Sequence, residues 1–255
     1  MSLIIRQYPC RSDNYGYLLH DPESGDTACV DTPGVQETND ILDGEGWRLT
    51  HIFNTHWHDD HAGGNLALKE KWSCKIVGSA IDPERIPGLD VEVGDGDEYT
   101  FAGRTVQVFD VSGHTNGHIS FYFGSDDALF CGDALFALGC GRLFEGTPSQ
   151  MWTSLQKLMA LPDNTRVYCA HEYTQANAAF ALTVEPDNEA LQARAREIDA
   201  LRAQQKPTVP STIGEEKATN PFLRPMSQEL QMAIDKVDAP LDEVFAETRR
   251  RKDNF

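Results

Sequence analysis

Thr55-His56-Trp57-His58-Asp59-Asp60-His61, residues 55–61, directly follows the run Thr50-His51-Ile52-Phe53-Asn54. That run, rich in β-branched and aromatic side chains and closed by Asn, predicts a strand. On an extended chain alternate side chains share a face, so His56 and His58 point together, whereas on a helix they would lie about 200° apart. Asp60 and His61 follow as the chain turns into Ala62-Gly63-Gly64, where two glycines permit tight backbone conformations. A lone His after a strand would read as a hydrogen-bonded loop residue. Three His and two Asp within residues 56–61 read instead as a cluster of metal ligands. The spacing is not His-Glu-x-x-His on a helix, which excludes the zincin pattern.

Working outward, three more strand-like runs end in a metal-capable group. Val106 to Val111 leads to Gly113-His114-Thr115, Leu129-Phe130-Cys131 to Gly132-Asp133, and Val167-Tyr168-Cys169 to Ala170-His171-Glu172. Each alone would pass for a capping, core or turn residue. Their recurrence makes them credible together. The candidate ligands are therefore His56, His58, Asp60, His61, His114, Asp133 and His171. One tetrahedral zinc takes three or four protein ligands, so this set suffices for two divalent ions if a carboxylate bridges them. Imidazole and carboxylate donors suit zinc, iron or manganese, and the lack of thiolates among them argues against a structural zinc or an iron–sulfur cluster.

The rest of the chain predicts a layered α/β protein. Further strands are expected over residues 3–7, 15–20, 27–31, 75–78, 104–111, 118–123, 128–131 and 166–169, and helices over 35–45, 63–72 and 148–160. Thr147 and Pro148 mark the start of the last helix. After Tyr173 the character changes to helices over 182–205 and 227–237, with an irregular stretch over 206–224 between them. The expected division is a metal-binding domain over 1–173 and a helical domain over 174–255.

Composition narrows the function classes. The 255 residues are 40% apolar, enough for a real core and against intrinsic disorder. A formal charge of −18 repels nucleic-acid phosphates and anionic lipid headgroups, so neither partner is expected. No window is long and apolar enough for a membrane span, and the first residues lack the pattern of a secretory signal. The six cysteines, Cys10, Cys29, Cys74, Cys131, Cys140 and Cys169, form no Cys-x-x-Cys pair and read as reduced core residues. A cytoplasmic monomer is the expectation.

Taken together, Thr55 to His61, Gly113-His114-Thr115, Cys131-Gly132-Asp133 and His171 resemble the metallo-β-lactamase superfamily. Ala62-Gly63-Gly64-Asn65, Gly139 to Gly146, Ala170-His171-Glu172-Tyr173-Thr174, Pro221-Phe222-Leu223-Arg224 and Arg249 to Phe255 are similar to the glyoxalase II (hydroxyacylglutathione hydrolase) family, over essentially the whole chain. The resemblance implies an αββα sandwich followed by a small C-terminal helical domain that helps bind glutathione. It implies one metal held by His56, His58 and His114, the other by Asp60, His61 and His171, and Asp133 between them. Arg142, Phe144, Tyr173, Arg249 and Lys252 match the residues that hold the glutathione moiety. Animal members carry Lys and Tyr where this chain has Arg142 and Phe144, which keeps the charge and loses a hydroxyl.

The implied activity is hydrolysis of S-D-lactoylglutathione and related 2-hydroxyacyl thioesters, which completes the removal of methylglyoxal. Hydroxide available at a dinuclear centre would attack the thioester carbonyl with no catalytic Ser or Cys, while Asp60 could manage protons. Asp31 and His118 are candidates for orienting imidazoles, with a plain turn or core role equally open. Glutathione carries two carboxylates and one ammonium, so an acidic protein must offer local positive charge, as Arg249 to Lys252 does. The rivals on the same scaffold are a glutathione persulfide dioxygenase with a single iron and a thioesterase of other substrate range.

Overall fold

The structure, a computed structural model, describes residues 2–255, which fall into two compact units. The first comprises the chain up to Asp110 together with Asn116–Gly132, and the second comprises Val111–Thr115 and Asp133–Phe255.

The first unit contains β1 (Ile4–Cys10), β2 (Asn14–His20), β3 (Asp26–Val30), α1 (Val35–Glu45), β4 (Arg48–Phe53), α2 (Asp59–Ala62), α3 (Asn65–Trp72), β5 (Lys75–Ser79), β6 (Val91–Val93), β7 (Glu98–Phe101), β8 (Arg104–Asp110), β9 (Ile119–Phe123) and β10 (Ala128–Gly132). Strands β1 to β6 form one sheet in sequence order, antiparallel from β1 to β3 and parallel from β3 to β6. Strands β7 to β10 form an antiparallel meander. Aromatic rings fill the space between these layers. Phe53 of β4, fully buried, has ring centroids 5.0 Å from Phe121, 5.6 Å from Tyr99 and 5.7 Å from Phe101. On the other face of the first sheet, Leu49 and Ile52 meet Leu42 of α1 and Leu68 of α3. The pairing of β3 with β4 shifts register between Thr27 and Ala28, so Leu49 and Ile52 share a face despite an odd spacing. Parallel strands β3 and β4 therefore end side by side, with Asp31 donating its amide to the Phe53 carbonyl at 2.9 Å. Open α/β sheets place their chemistry beyond such carboxyl ends.

The second unit contains β11 (Leu135–Phe136), β12 (Gly139–Cys140), α4 (Pro148–Met159), β13 (Arg166–Cys169), α5 (Thr174–Val184), α6 (Glu189–Ala203), β14 (Ser211–Thr212), α7 (Ile213–Thr219), α8 (Gln228–Ala233) and α9 (Leu241–Asp253). Helix α4 begins with a full capping box, Thr147 accepting from the Gln150 amide and Gln150 from the Thr147 amide. Leu138, Ala178, Ala181, Leu191, Ala195 and Ile198 form an apolar cluster that joins α5 to α6. The buried Glu185 carboxylate accepts from Arg224 Nε at 2.9 Å and from Ser227 Oγ at 2.6 Å. This satisfies a charge that would otherwise be costly to bury, and it fixes the end of Pro221-Phe222-Leu223-Arg224.

The helix expected over 182–205 is two helices, α5 and α6, with the break at Pro186 and a new start where Asn188 caps the Leu191 amide. Helix α7 lies within the stretch expected to be irregular, started by Thr212 accepting from the Glu215 amide. Strands β6, β11, β12 and β14, of two or three residues, are too brief to give a run in the sequence, and β7 (Glu98–Phe101) lies outside the expected strands. All six cysteines are free and buried. Burial pushes the thiols of Cys10 and Cys169 up to about 12 and those of Cys74 and Cys140 to about 11. Among the described residues no helix is long and apolar enough to cross a membrane.

Candidate active site

In the first unit the chain leaves β4 at Phe53, bends at Thr55, and makes one helical turn in α2, started at His58. This brings His56, His58, Asp60 and His61 together. His56 is fully buried and His61 nearly so, with their ring centroids 4.0 Å apart. Asp31, in a left-handed conformation at the end of β3 (φ 55°), organises them. Its Oδ1 accepts from the Thr55 amide at 2.8 Å, and its Oδ2 accepts from Thr55 Oγ1 and from His61 Nδ1, both at 2.8 Å. Thr55 Oγ1, its proton given to Asp31, accepts in turn from His56 Nδ1 at 3.1 Å. Asp31 thus sets the tautomer of His61 directly and of His56 through one hydroxyl. His118, buried, stacks on His56 at 4.6 Å.

In the neutral rings these anchors make Nε2 of His56 and of His61 the acceptor nitrogens. His56 Nε2 faces His58 Nδ1 at 2.9 Å, and His61 Nε2 faces Asp60 Oδ2 at 3.4 Å. Asn14 Nδ2 donates to the same Asp60 oxygen at 3.0 Å, which fixes the carboxylate.

The second unit repeats the arrangement with residues from distant parts of the chain. His114 Nδ1 donates to the Arg142 carbonyl at 2.8 Å, so in the neutral ring Nε2, 3.4 Å from Asp133 Oδ2, is the acceptor nitrogen. His171 Nε2 lies 3.3 Å from the other oxygen, Asp133 Oδ1. One carboxylate therefore turns each of its oxygens to a different imidazole. With the rings neutral, nitrogen lone pairs face carboxylate oxygens at these distances, an opposition that a cation among them relieves. The donors, imidazole nitrogen and carboxylate oxygen, are those of a divalent metal site, and their second nitrogens are anchored as metal-binding histidines commonly are. The residues of each unit fit a metal on this chemistry.

Beside His114 and Asp133 the second unit opens into a cavity of about 720 Å³, also lined by Phe136, Cys140, Arg142, Phe144, Tyr173 and, from α9, Arg249, Lys252 and Asp253. Phe144 lies edge-on to His114 at 5.1 Å, and Tyr173 stacks flat on His171 at 4.7 Å. Arg249 is buried; its Nη1 donates to the Cys140 carbonyl at 2.8 Å and its Nη2 meets Asp253 Oδ1 at 2.9 Å. Lys252 Nζ donates to the Ala176 carbonyl at 2.9 Å. Burial, and then the charges of Arg249 and Arg142, lower the Lys252 amine to about 8. Three cations, Arg142, Arg249 and Lys252, against two carboxylates, Asp133 and Asp253, suit a ligand of mixed charge with anionic excess.

The sequence motifs did not reveal Phe136, Asn177 or Asp253 as cavity residues. For Asp253 a signal existed, since it stands four residues after Arg249 and an i,i+4 pair shares a helix face.

Two family models match the chain: "Metallo-beta-lactamase superfamily" over residues 16–171 and "Hydroxyacylglutathione hydrolase C-terminus" over residues 172–255. Similar proteins named hydroxyacylglutathione hydrolase occur in Methylococcus capsulatus, 55% identical over 99% of both chains, and in Maricaulis maris, 52% identical over 99% of both. Among solved structures the chain is similar to the crystal structure of ETHE1 from Myxococcus xanthus, with 28% identity, a TM-score of 0.68 and coverage of 99% of this chain and 100% of that one. Those matches carry the metallo-beta-lactamase fold with the C-terminal extension.

Proposed function

Since the chain belongs to the hydroxyacylglutathione hydrolases of the metallo-beta-lactamase superfamily, we propose that it hydrolyses 2-hydroxyacyl glutathione thioesters. S-D-lactoylglutathione is the principal substrate, with glutathione and D-lactate as products and removal of methylglyoxal as the outcome. The observation that carries this reading is the cavity in which Arg142, Arg249 and Lys252 stand beside the metal-type donors His114 and Asp133. It supports binding of a carboxylate-rich molecule with its reacting bond near those donors.

In this reading residues 1–173 supply the ligands and 174–255 much of the substrate contact, a division that the extents of the two family models support. His56, His58 and His114 would hold one divalent ion, Asp60, His61 and His171 a second, with Asp133 shared. Zinc is the first choice, iron or manganese the alternatives. Bound there, such ions supply a water of pKa about 7 in place of 15.7 and polarise a carbonyl. Asp31, Thr55 and the Arg142 carbonyl hold the imidazoles in the required tautomers. Arg249 and Lys252 bind substrate carboxylates, with Arg142 reinforcing their charge, and Phe144 and Tyr173 flank the chain leading to the sulfur. Asp60 is the carboxylate assigned to receive a proton. The thiolate leaves without a general acid because thiols are far stronger acids than alcohols. Six buried free thiols suit a reducing compartment, which supports a cytoplasmic location.

The test is loss of thioester absorbance with purified protein, abolished by a chelator and restored by divalent metal. Oxygen uptake with glutathione persulfide and a single iron per chain would establish the dioxygenase instead.

A further inference from the structure

The hairpin formed by β11 and β12 supplies Phe136 and Cys140 to the cavity wall, and the Cys140 carbonyl anchors the Arg249 guanidinium. Four residues cannot make a stable hairpin by their own ladder. Its turn contains Leu138 in the left-handed region (φ 57°), a conformation that a bulky side chain resists. Side chains from elsewhere satisfy the turn. Glu216 Oε2 accepts from the Leu138 amide at 2.8 Å. Asn220 Nδ2 donates to the same Glu216 oxygen at 2.9 Å and to the Phe136 and Gly139 carbonyls at 3.2 Å and 3.0 Å. Asn177 Nδ2 donates to the Ala137 carbonyl at 3.1 Å. Glu216 and Asn220 are buried, at 1% and 0% exposure, so water cannot replace these bonds.

We propose that Glu216 is a positioning residue for substrate binding: through the Leu138 amide and Asn220 it fixes the hairpin that shapes the cavity and seats Arg249. The inference rests on the glutathione reading of that cavity. Glu216 is a costly residue for mere filling, since an apolar side chain of similar size would bury without penalty. Burial raises its carboxyl to about 7, with the Leu138 amide and Asn220 among the groups that draw it back down. The fold thus holds an acid in unfavourable surroundings where the backbone amide of left-handed Leu138 needs an acceptor. Phe136 lies 5.3 Å from Tyr173, edge to face, so displacement of the hairpin reaches the aromatic wall as well as Arg249.

The experiment compares wild type, Glu216→Ala and Glu216→Gln as full-length metal-loaded protein. Gln can place its amide oxygen at the Oε2 position and its NH₂ beside Ser211, so it preserves the acceptor. Three quantities are read: the dissociation constant of S-methylglutathione by calorimetry, kcat and KM for the thioester, and hydrogen exchange of the hairpin amides. Glu216→Ala is expected to bind S-methylglutathione about tenfold more weakly and to raise KM in step, with kcat changed less than about threefold. Residues 135–140 should lose exchange protection while α5 and α6 keep theirs. Glu216→Gln should restore affinity and protection to within about twofold of wild type. If Glu216→Ala does not fold, Glu216→Asp, which withdraws the oxygen by one methylene, takes its place with the same expectations. A folded Ala or Asp variant with wild-type affinity and protection overturns the proposal, as does loss of protection spread evenly over the second unit. Wild-type protein that binds no S-methylglutathione overturns the substrate reading itself, a result separate from any difference among variants.

Discussion

The two halves of the donor set are built by opposite means. In the first unit four donors lie within six residues, and one strand end, one helical turn and one buried aspartate settle their directions. In the second unit His114, Asp133 and His171 come from three separated segments, and the cations beside them come from residues 142, 249 and 252. The first arrangement is local and depends on hydrogen bonds close in sequence. The second depends on tertiary packing, so remote residues such as Glu216 can control it. Local construction favours exact donor geometry, whereas assembled construction leaves room to shape the cavity for a particular ligand.

This contrast can be broken by mutation, with the largest effect expected at Asp133. Because each of its oxygens faces a different imidazole, Asp133→Ala should lower kcat/KM by about a thousandfold or more and reduce bound metal together. Metal analysis beside kinetics checks this, and a variant retaining full metal and rate refutes the shared role. Glu216→Gln should act on stability alone. The wild-type carboxyl has its pKa raised from 4.5 to about 7 by burial, so the ionised acid is disfavoured in the fold. The contribution of Glu216 to stability is then fullest below pH 4.5, falls as pH rises towards 7 and levels off above it, a loss of roughly 3 kcal/mol. The Gln variant lacks that loss, so urea denaturation should show its advantage at pH 8 and not near pH 4.

Asp31→Ala tests the local half. It removes the acceptor for His61 and, through Thr55, for His56, and it should weaken metal affinity by about 10–100-fold. Unchanged affinity in a competition titration would show that α2 alone sets the geometry. The smallest effect belongs to Lys252. Its amine, lowered to about 8, loses charge as pH rises through that value, so KM for an anionic thioester should rise a few-fold between pH 7 and 9. Lys252→Arg should flatten that rise, and a KM equally pH-dependent in the variant would remove Lys252 from substrate binding.

What could be read in the sequence follows the same divide. The strand before His56 and the alternation of His56 with His58 carry their own signal, because side-chain direction on a strand depends on neighbours alone. Helix α1 matches its expected span for the same reason. Helix α5 did not stand out, since Thr174–Val184 is apolar or small on most sides and lacks a polar stripe to give it a period. Glu216 was invisible: in Gly214-Glu215-Glu216-Lys217 it looks like a solvated charge, and only tertiary structure turns it inward at 1% exposure. The cavity cations were placed by motif resemblance, as their charge alone would equally describe a helix end beside its dipole.

The buried sulfhydryls carry a consequence for chemistry in a thiol-rich medium. Exchange with a disulfide requires a thiolate that can reach it, and ionisation values of about 11 and 12 inside the protein leave almost none at neutral pH. Beside a reaction that releases a free thiol, burial thus keeps these four sulfurs slow to form mixed disulfides while the protein stays folded.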